Sequence, residues 1–316
     1  MKFFVGVTNN EWFEYLAART PDEVNFWRPR SQSDFRAIPV GAPFLFKLHA
    51  PLNFIAGGGY FVKHTFLPLH LAWEAFGDKN GVPDFTAFRA RILEHRDANE
   101  LGRQIGCTIL TQPFFFPRDA WIPVPSNWSA NIVVGMRYDT AEPAGQTLWQ
   151  QVLERLGGAL TPAGSEAKAA GEEEQERYGA ARLVQPRLGQ GAFRVLVTDA
   201  YQRRCAMTGE RTLPALEAAH IQRYSDKGPH RVDNGLLLRS DLHHLFDLGY
   251  LTVTADYRIE VSRCIKEEYE NGRDYYALHG RELAILPAAK EERPSQVFLD
   301  WHRETLFERK FDPNHR

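Results

Sequence analysis

Residues 157–192, GGALTPAGSEAKAAGEEEQERYGAARLVQPRLGQGA, carry no sustained apolar periodicity and are rich in Gly, Ala and Glu. Such a segment has no face to bury. It reads as a linker with one exposed helix, and the chain must fold on either side of it. The 316 residues are 43% hydrophobic, enough apolar material for two cores of ordinary size. The expected division is a first domain over 1–156, a linker over 157–186 and a second domain over 187–316. Glu172-Glu173-Glu174 reads as a solvated face, and neither half shows an internal repeat.

The densest chemistry lies in residues 214–249, PALEAAHIQRYSDKGPHRVDNGLLLRSDLHHLFDLG. Leu216, Ala218 and His220 alternate with Ala215, Glu217 and Ala219, which predicts an extended segment with one face ending in an imidazole. Ser225, Asp226, Gly228, Pro229 and Asp233 form a turn-rich loop before Asn234-Gly235 opens the apolar run Leu236-Leu237-Leu238. Ser240 or Asp241 can cap a helix on which His243 and Asp247 share one face. Leu242, Leu245 and Phe246 give that helix an apolar face, and Gly249 ends it. The expected unit is β-β-α, with an imidazole from the first strand facing polar groups of the helix.

The blocks AAHI, DNGLLL and DLHHLFDLGYLTV resemble, in order and spacing, the three blocks of the HNH nuclease family with its ββα-metal fold. The resemblance implies a catalytic set of His220, Asn234 and His243. In it His220 is the general base, Asn234 is a strand residue that fixes the loop and orients the base, and His243 is a metal ligand. Asp247 falls where some members place another ligand. Ala219 stands where many members carry an Asp or His ligand. Glu217, Asp233, His244 or Asp247 would then complete the sphere of a hard divalent ion, Mg²⁺ or Mn²⁺. The implied reaction has neutral His220 take a proton from water, whose hydroxide attacks phosphorus in line. The metal stabilises the phosphate and the departing 3′ oxygen, and the products are 5′-phosphate and 3′-hydroxyl ends. An imidazole titrating near its ordinary ~6.5 would lose this activity in acid. Either histidine alone would read as a half-buried neighbour of a leucine-rich core, but three ordered polar blocks on one template favour a site.

RRCAMTG, residues 203–209, leads into this unit where many relatives carry CxxC pairs for a structural zinc. Only Cys107, Cys205 and Cys264 are present, without a CxxC, so four-sulfur ligation within one chain is excluded and no structural zinc is expected. Cys205 reads as a small buried thiol, and three scattered cysteines suit a reducing setting. The opening MKFFVGVTNNEWFEYL lacks a long apolar core, and no stretch approaches the ~18–20 apolar residues of a membrane span. A cytoplasmic protein with no membrane partner is expected.

Net charge is −2, so bulk electrostatics do not advertise a nucleic-acid binder. Residues 187–263 hold 11 Lys/Arg against 9 Asp/Glu, a slight local shift. Arg203, Arg204, Arg223 and Arg239, with Lys227 and Arg231, surround the motif closely enough to be candidate phosphate contacts.

In the first half, Phe3-Val5-Val7 alternates, and Ala42–Leu48 followed by Phe54–Phe61 reads as two strands of a mixed or barrel-like sheet. Gly57-Gly58-Gly59 within a strand signals a bulge or a close backbone approach. NFWRP, FRAIPVGAPFLFKL and NFIAGGGYF resemble the PUA-like domains, especially the EVE and ASCH branches. The fold class implied is α+β: an N-terminal PUA-like mixed β-barrel with flanking helices, the linker, and the ββα-metal domain. Such domains bind RNA or modified bases, and those joined to HNH units in restriction enzymes sense modified cytosine. That implies a pocket for a flipped base, with Trp27, Tyr60, Trp73, Trp121 and Trp128 as candidate stacking rings and Asn25 and Asn53 as candidate edge readers. Phe114-Phe115-Phe116 reads as structural, and Leu71-Ala72-Ala75 as the core stripe of a helix.

Beyond the motif, residues 251–253 and 259–261 alternate like strands, and Asn271-Gly272 suggests a tight hairpin. Pro294-Ser295 opens a final helix through Phe298, Leu299, Trp301 and His302, read as packing. The expectation is a modification-dependent restriction endonuclease, acting as a homodimer on double-stranded DNA that carries 5-methyl- or 5-hydroxymethylcytosine. Two alternatives share these residues: a non-catalytic RNA or modified-base reader with a structural metal cluster, and a nonspecific HNH DNase.

Overall fold

Alternation along the first strand gives its sheet two buried faces, because Phe3 and Val5 point one way and Phe4 the other, all nearly without exposure. The computed structural model describes residues 1–29, 33–96, 104–129, 131–159, 183 and 187–308. The expected linker over 157–186 lies outside the described residues except for 157–159 and 183. The chain separates into two compact units, Met1–Arg187 and Leu188–Arg316.

The first unit runs β1 (Lys2–Thr8), α1 (Asn10–Ala17), β2 (Glu23–Arg28), β3 (Pro43–Leu48), β4 (Phe54–Leu67), α2 (Leu69–Phe76) and α3 (Phe85–Leu93). It continues through β5 (Ile105–Phe115), β6 (Ile122–Pro123), β7 (Gly135–Asp139) and α4 (Pro143–Ala159). The strands form one mixed sheet in the order β2-β5-β4-β3-β1-β7, with β6 paired to β4. β1 and β3 are parallel, and the other pairs are antiparallel. Phe4, Phe26, Phe44 and Phe46 on one face pack with Trp12, Phe13 and Leu16 of α1. Phe3, Val5, Leu45 and Ile55 on the other pack with Leu148, Trp149 and Val152 of α4. α1 starts where Asn9 accepts a hydrogen bond from the Trp12 amide at 3.0 Å.

The glycine run falls in β4 opposite β3 and β5, and the register shifts between Gly58 and Tyr60. A Cβ on Gly58 would come 2.7 Å from the Phe44 carbonyl oxygen, so the close backbone approach expected from the sequence is present.

The second unit begins with α5 (Gln190–Ala200), followed by β8 (Leu216–His220), β9 (Gly235–Arg239) and α6 (Ser240–Asp247). β10 (Leu251–Val253), β11 (Ile259–Val261), α7 (Cys264–Tyr269), α8 (Arg273–Tyr276) and α9 (Gln296–His302) complete it. β8 and β9 pair antiparallel with His220 opposite Gly235, and Leu236, Leu237 and Leu238 enter a core shared with Phe193, Val197, Leu242 and Phe246. Cys205 is buried in the same core.

Two local expectations are corrected. Neither Ser240 nor Asp241 caps α6: the Ser240 hydroxyl donates to the Ala215 carbonyl, and Asp241 is held by Arg239. Asn271-Gly272 joins α7 to α8 rather than closing a hairpin, with Gly272 at φ 115°, and β10 pairs instead with β11. The end of α6 follows the sequence: Gly249 at φ 74° donates to the Phe246 carbonyl, and the Tyr250 amide donates to that of Leu245. No helix among the described residues is long and apolar enough to cross a membrane.

Candidate active site

β8 ends in His220, and the chain then makes a loop that returns at Asn234 to start β9. Asn234 is fully buried and fixes this loop with its side chain. Its Oδ1 accepts from the Gln222 amide at 2.8 Å, and its Nδ2 donates to the carbonyls of Gln222 and Pro229, both at 3.0 Å. The Ile221 amide donates to the Asn234 carbonyl. Asn234 thus holds both ends of the loop, from the last residue of a short 3₁₀ turn rather than from the strand itself.

His220 is half-buried. Its ring stacks on Phe193 of α5 with centroids 3.8 Å apart and planes 13° from parallel. Its Nε2 lies 3.0 Å from Nδ1 of His230. Burial is the largest influence on this ring, followed by the positive potential of His230 and His243, opposed by Asp247. The balance holds its pKa down at about 4. His220 is therefore a neutral imidazole at ordinary pH, the protonation state a general base needs.

His243, on α6, sits between two carboxylates. Its Nδ1 donates to Glu217 Oε2 at 2.6 Å, and its Nε2 lies 3.3 Å from Asp247 Oδ2, one turn along the helix. Burial pulls the His243 pKa down, but the bonds to Asp247 and Glu217 outweigh it and the net shift is upward. Glu217, pushed up by burial, is brought below its ordinary range by His243. The same structure therefore keeps one histidine neutral and favours the charged form of the other.

The HNH resemblance implies a divalent ion here. Among the described residues no three His, Cys, Asp or Glu side chains converge on a common ion position. The donor chemistry nevertheless suits such an ion, because His243 Nε2 and Asp247 stand side by side and Glu217, on the other ring nitrogen, can orient the imidazole. Ala219 offers no donor. Glu217, two residues earlier on the same face of an extended strand, reaches the helix imidazole in its place.

Residues 205–254 match the sequence model of the HNH endonuclease family. That span is an HNH endonuclease domain. It contains the strand, loop and helix that carry His220, Asn234 and His243. No curated protein matches the chain. Among solved structures, one mutant form of the ZmASCH protein of Zymomonas mobilis is 11% identical, with 48% of this chain and 98% of that chain covered and a TM-score of 0.34. A second mutant form is also 11% identical, with 48% and 95% covered and a TM-score of 0.33. The modification-dependent restriction endonuclease TagI is 14% identical, with 90% of this chain and 75% of that chain covered and a TM-score of 0.26.

Around the HNH site the expected phosphate-binding arginines already hold carboxylates. Arg203 pairs with Asp199, Arg223 with Asp226, Arg231 with Asp233 and Arg239 with Asp241. Arg204 is half-buried. These pairs recur at short spacings, a signal present in the sequence. His230, Phe193 and Tyr224 are the residues that sequence reasoning missed at this site: His230 and Phe193 meet His220, Tyr224 stacks on His230, and only the folded arrangement reveals them.

In the first unit, a cavity of about 480 Å³ is lined by Trp12, Phe26, Trp27, Arg28, His49 and Val134 among others. Of the candidate base readers only Trp27 lines it. Trp27 packs edge-on to Phe88, and its indole N–H donates to the Asn80 carbonyl at 2.8 Å. Asn25 and Tyr60 are enclosed in the core, where Asn25 donates to Asn80, and neither presents a face to a base. Trp73 packs on Phe85 and Phe88, and Trp121 lies against Phe13 and donates to the Phe116 carbonyl. The Lys47 ammonium stands 5.6 Å over the Trp128 ring and donates to Asn53. Those aromatics were legible as aromatics, but which of them wall a cavity depends on strand order.

Proposed function

We propose that this chain is a modification-dependent DNA endonuclease in which the first unit reads a modified cytosine, 5-methyl or 5-hydroxymethyl, and the HNH domain cuts the duplex. The observation that carries the cutting role is a neutral, stacked His220 beside the Glu217–His243–Asp247 cluster, inside a segment that matches the HNH family. In the reaction, His220 takes a proton from water, and the hydroxide formed attacks phosphorus opposite the 3′ oxygen. Asn234 keeps the loop behind the base in place, so the ring does not turn away from the substrate. His243 and Asp247 would hold a divalent ion, Mg²⁺ or Mn²⁺, with Glu217 orienting the imidazole from its other ring nitrogen, and the ion when bound would supply positive charge for the phosphate and the departing 3′ oxygen. Arg203, Arg204, Arg223 and Arg239 are proposed to meet backbone phosphates, three of them by exchanging a carboxylate partner for a phosphate oxygen.

The reading role rests on the cavity of about 480 Å³, whose size is that of a small-molecule site and whose wall combines aromatic rings with Arg28 and His49. Trp12, in that wall, has a buried indole N–H with no hydrogen-bond partner among the described residues, a donor suited to an acceptor on a base edge. One HNH site cuts one strand, so a double-strand break takes two chains or two events, and we assign the first as a homodimer.

The deciding experiment is a digest of matched modified and unmodified duplexes by purified protein with Mg²⁺, Mn²⁺ or chelator, beside His220→Ala. Cleavage confined to modified DNA, lost with chelator and in His220→Ala, is expected. Equal cutting of both duplexes would remove the reading role, and undiminished cutting by His220→Ala would remove the catalytic one.

A further inference from the structure

We propose that His230 is the positioning residue of the catalytic base, accepting the Nε2–H of His220 on its own Nδ1 so that His220 Nδ1 faces the water. The inference rests on the nuclease reading of His220 and extends it to a residue outside the three motif blocks. Four observations support it. The two ring nitrogens are 3.0 Å apart. Both rings are held in plane: Phe193 stacks on His220 at 3.8 Å, and Tyr224 stacks on His230 at 4.5 Å and 9°. His230 follows Pro229, whose carbonyl is one of the three groups bound by the buried Asn234 side chain, so the motif asparagine anchors the base's partner as well as the loop. Finally, among the described residues no hydrogen bond reaches His220 Nδ1, which leaves that atom for the nucleophile.

Each ring nitrogen of a neutral imidazole is either donor or acceptor, and the bond made by one nitrogen fixes the role of the other. With His230 Nδ1 as acceptor, His220 carries its proton on Nε2 and its lone pair on Nδ1. In the reaction a water O–H bond breaks, its proton goes to His220 Nδ1, and the hydroxide oxygen bonds to phosphorus. The P–O3′ bond breaks with its electron pair leaving on the 3′ oxygen, which solvent protonates. The resulting His220 imidazolium still donates Nε2–H to His230, which therefore supports the charge without taking the proton. The other titratable groups acting on His220 are His243 and Asp247 of α6.

The test uses the full chain as wild type, His230→Asn and His230→Ala, with His220→Ala as reference. An asparagine side-chain oxygen sits near the place of a histidine Nδ1 and accepts the same bond, whereas alanine removes it. Two-bond ¹H–¹⁵N spectra of the resting wild type are expected to show His220 as the Nε2–H tautomer, and His230→Ala to show a mixture. In cleavage of the modified duplex with Mg²⁺, His230→Ala is expected to lose about 10- to 100-fold in kcat with KM little changed, the range lost when a group orienting a functional ring is removed. His230→Asn should recover most of that loss. An Nδ1–H tautomer in the wild type, an unaltered kcat in His230→Ala, or a His230→Asn as slow as His230→Ala would each overturn the proposal. If wild type and His220→Ala cut alike, the nuclease reading falls, while the tautomer of the resting protein still decides whether His230 sets the protonation of His220.

Discussion

His220 and His302 show how burial, as the largest influence, assigns different work to the same side chain. Both are held near a pKa of about 4, chiefly by desolvation. At His220, the base proposed above, the consequence is kinetic. A depressed pKa means the base stays neutral as pH falls, so the acid limb of kcat/KM for DNA cleavage is expected well below the ordinary histidine value of ~6.5. A profile measured at saturating Mg²⁺ that halves near pH ~6.5 would contradict this. At His302 the consequence is stability. The ring is almost fully buried, stacked on Phe246 at 3.6 Å, with Nε2 donating to the Phe246 carbonyl and Nδ1 beside the Thr252 hydroxyl. The unfolded chain takes up a proton at this residue below ~6.5, but the folded one does so only near about 4. Stability is therefore present above that window and falls as pH drops into it. Between pH ~7 and ~5 the loss from His302 is about 2 kcal/mol, and His302→Gln should remove that slope in urea unfolding. At this scale the sequence was informative about residue types and order: His220, Asn234 and His243 stand out because few other roles require them together. It was silent on His230 because the two rings stand ten positions apart across a loop, and on the Glu217–His243 bond because strand-to-helix packing makes it.

The β-β-α element was legible because its signals are local: an alternating strand, a turn-rich loop, an apolar run and a helix closed by Gly249. The errors were local as well. Ser240 and Asp241 had competing partners in Ala215 and Arg239, so the expected cap was not made, and Gly272 supplied a left-handed residue between helices rather than a hairpin. Gly235 shows how tightly α5 closes on this element. It lies opposite His220 in the β8–β9 ladder, and a Cβ there would stand 2.5 Å from Val197 Cγ2 and 3.1 Å from Phe193 Cε2. Gly235→Ala must push α5 outward or displace the Phe193 ring on which His220 stacks. The expected outcome is a loss of about 1–3 kcal/mol in urea unfolding, together with slower cleavage at unchanged KM. A stable variant with wild-type kcat would show that the stack on Phe193 does not position the base.

For the molecule as a whole, the proposed division of labour follows its two compact units, because the cavity lies in the first and the HNH site in the second. Composition allowed for two cores of ordinary size. It did not locate the cavity, because the walls come from β1, β2, α1, α3 and the segment before β7, elements scattered over more than 100 positions and joined only by the sheet order. Net charge argues the same division from another direction. At −2, and with Arg203, Arg223 and Arg239 each paired to an acid, these groups offer little free positive field, so the proposed discrimination would rest on specific contacts. Val134 offers a way to close the cavity without removing a core residue: it lines the cavity, is 49% exposed, and contributes to the fold through its carbonyl, which accepts from the Val7 amide and from Arg28. Val134→Trp should fill the space and leave those backbone bonds intact. Cleavage of modified DNA is then expected to fall to the level seen with unmodified DNA, while the unfolding midpoint and metal dependence stay as in the wild type. A Val134→Trp protein that still prefers the modified duplex would place the reading of the base elsewhere in the chain.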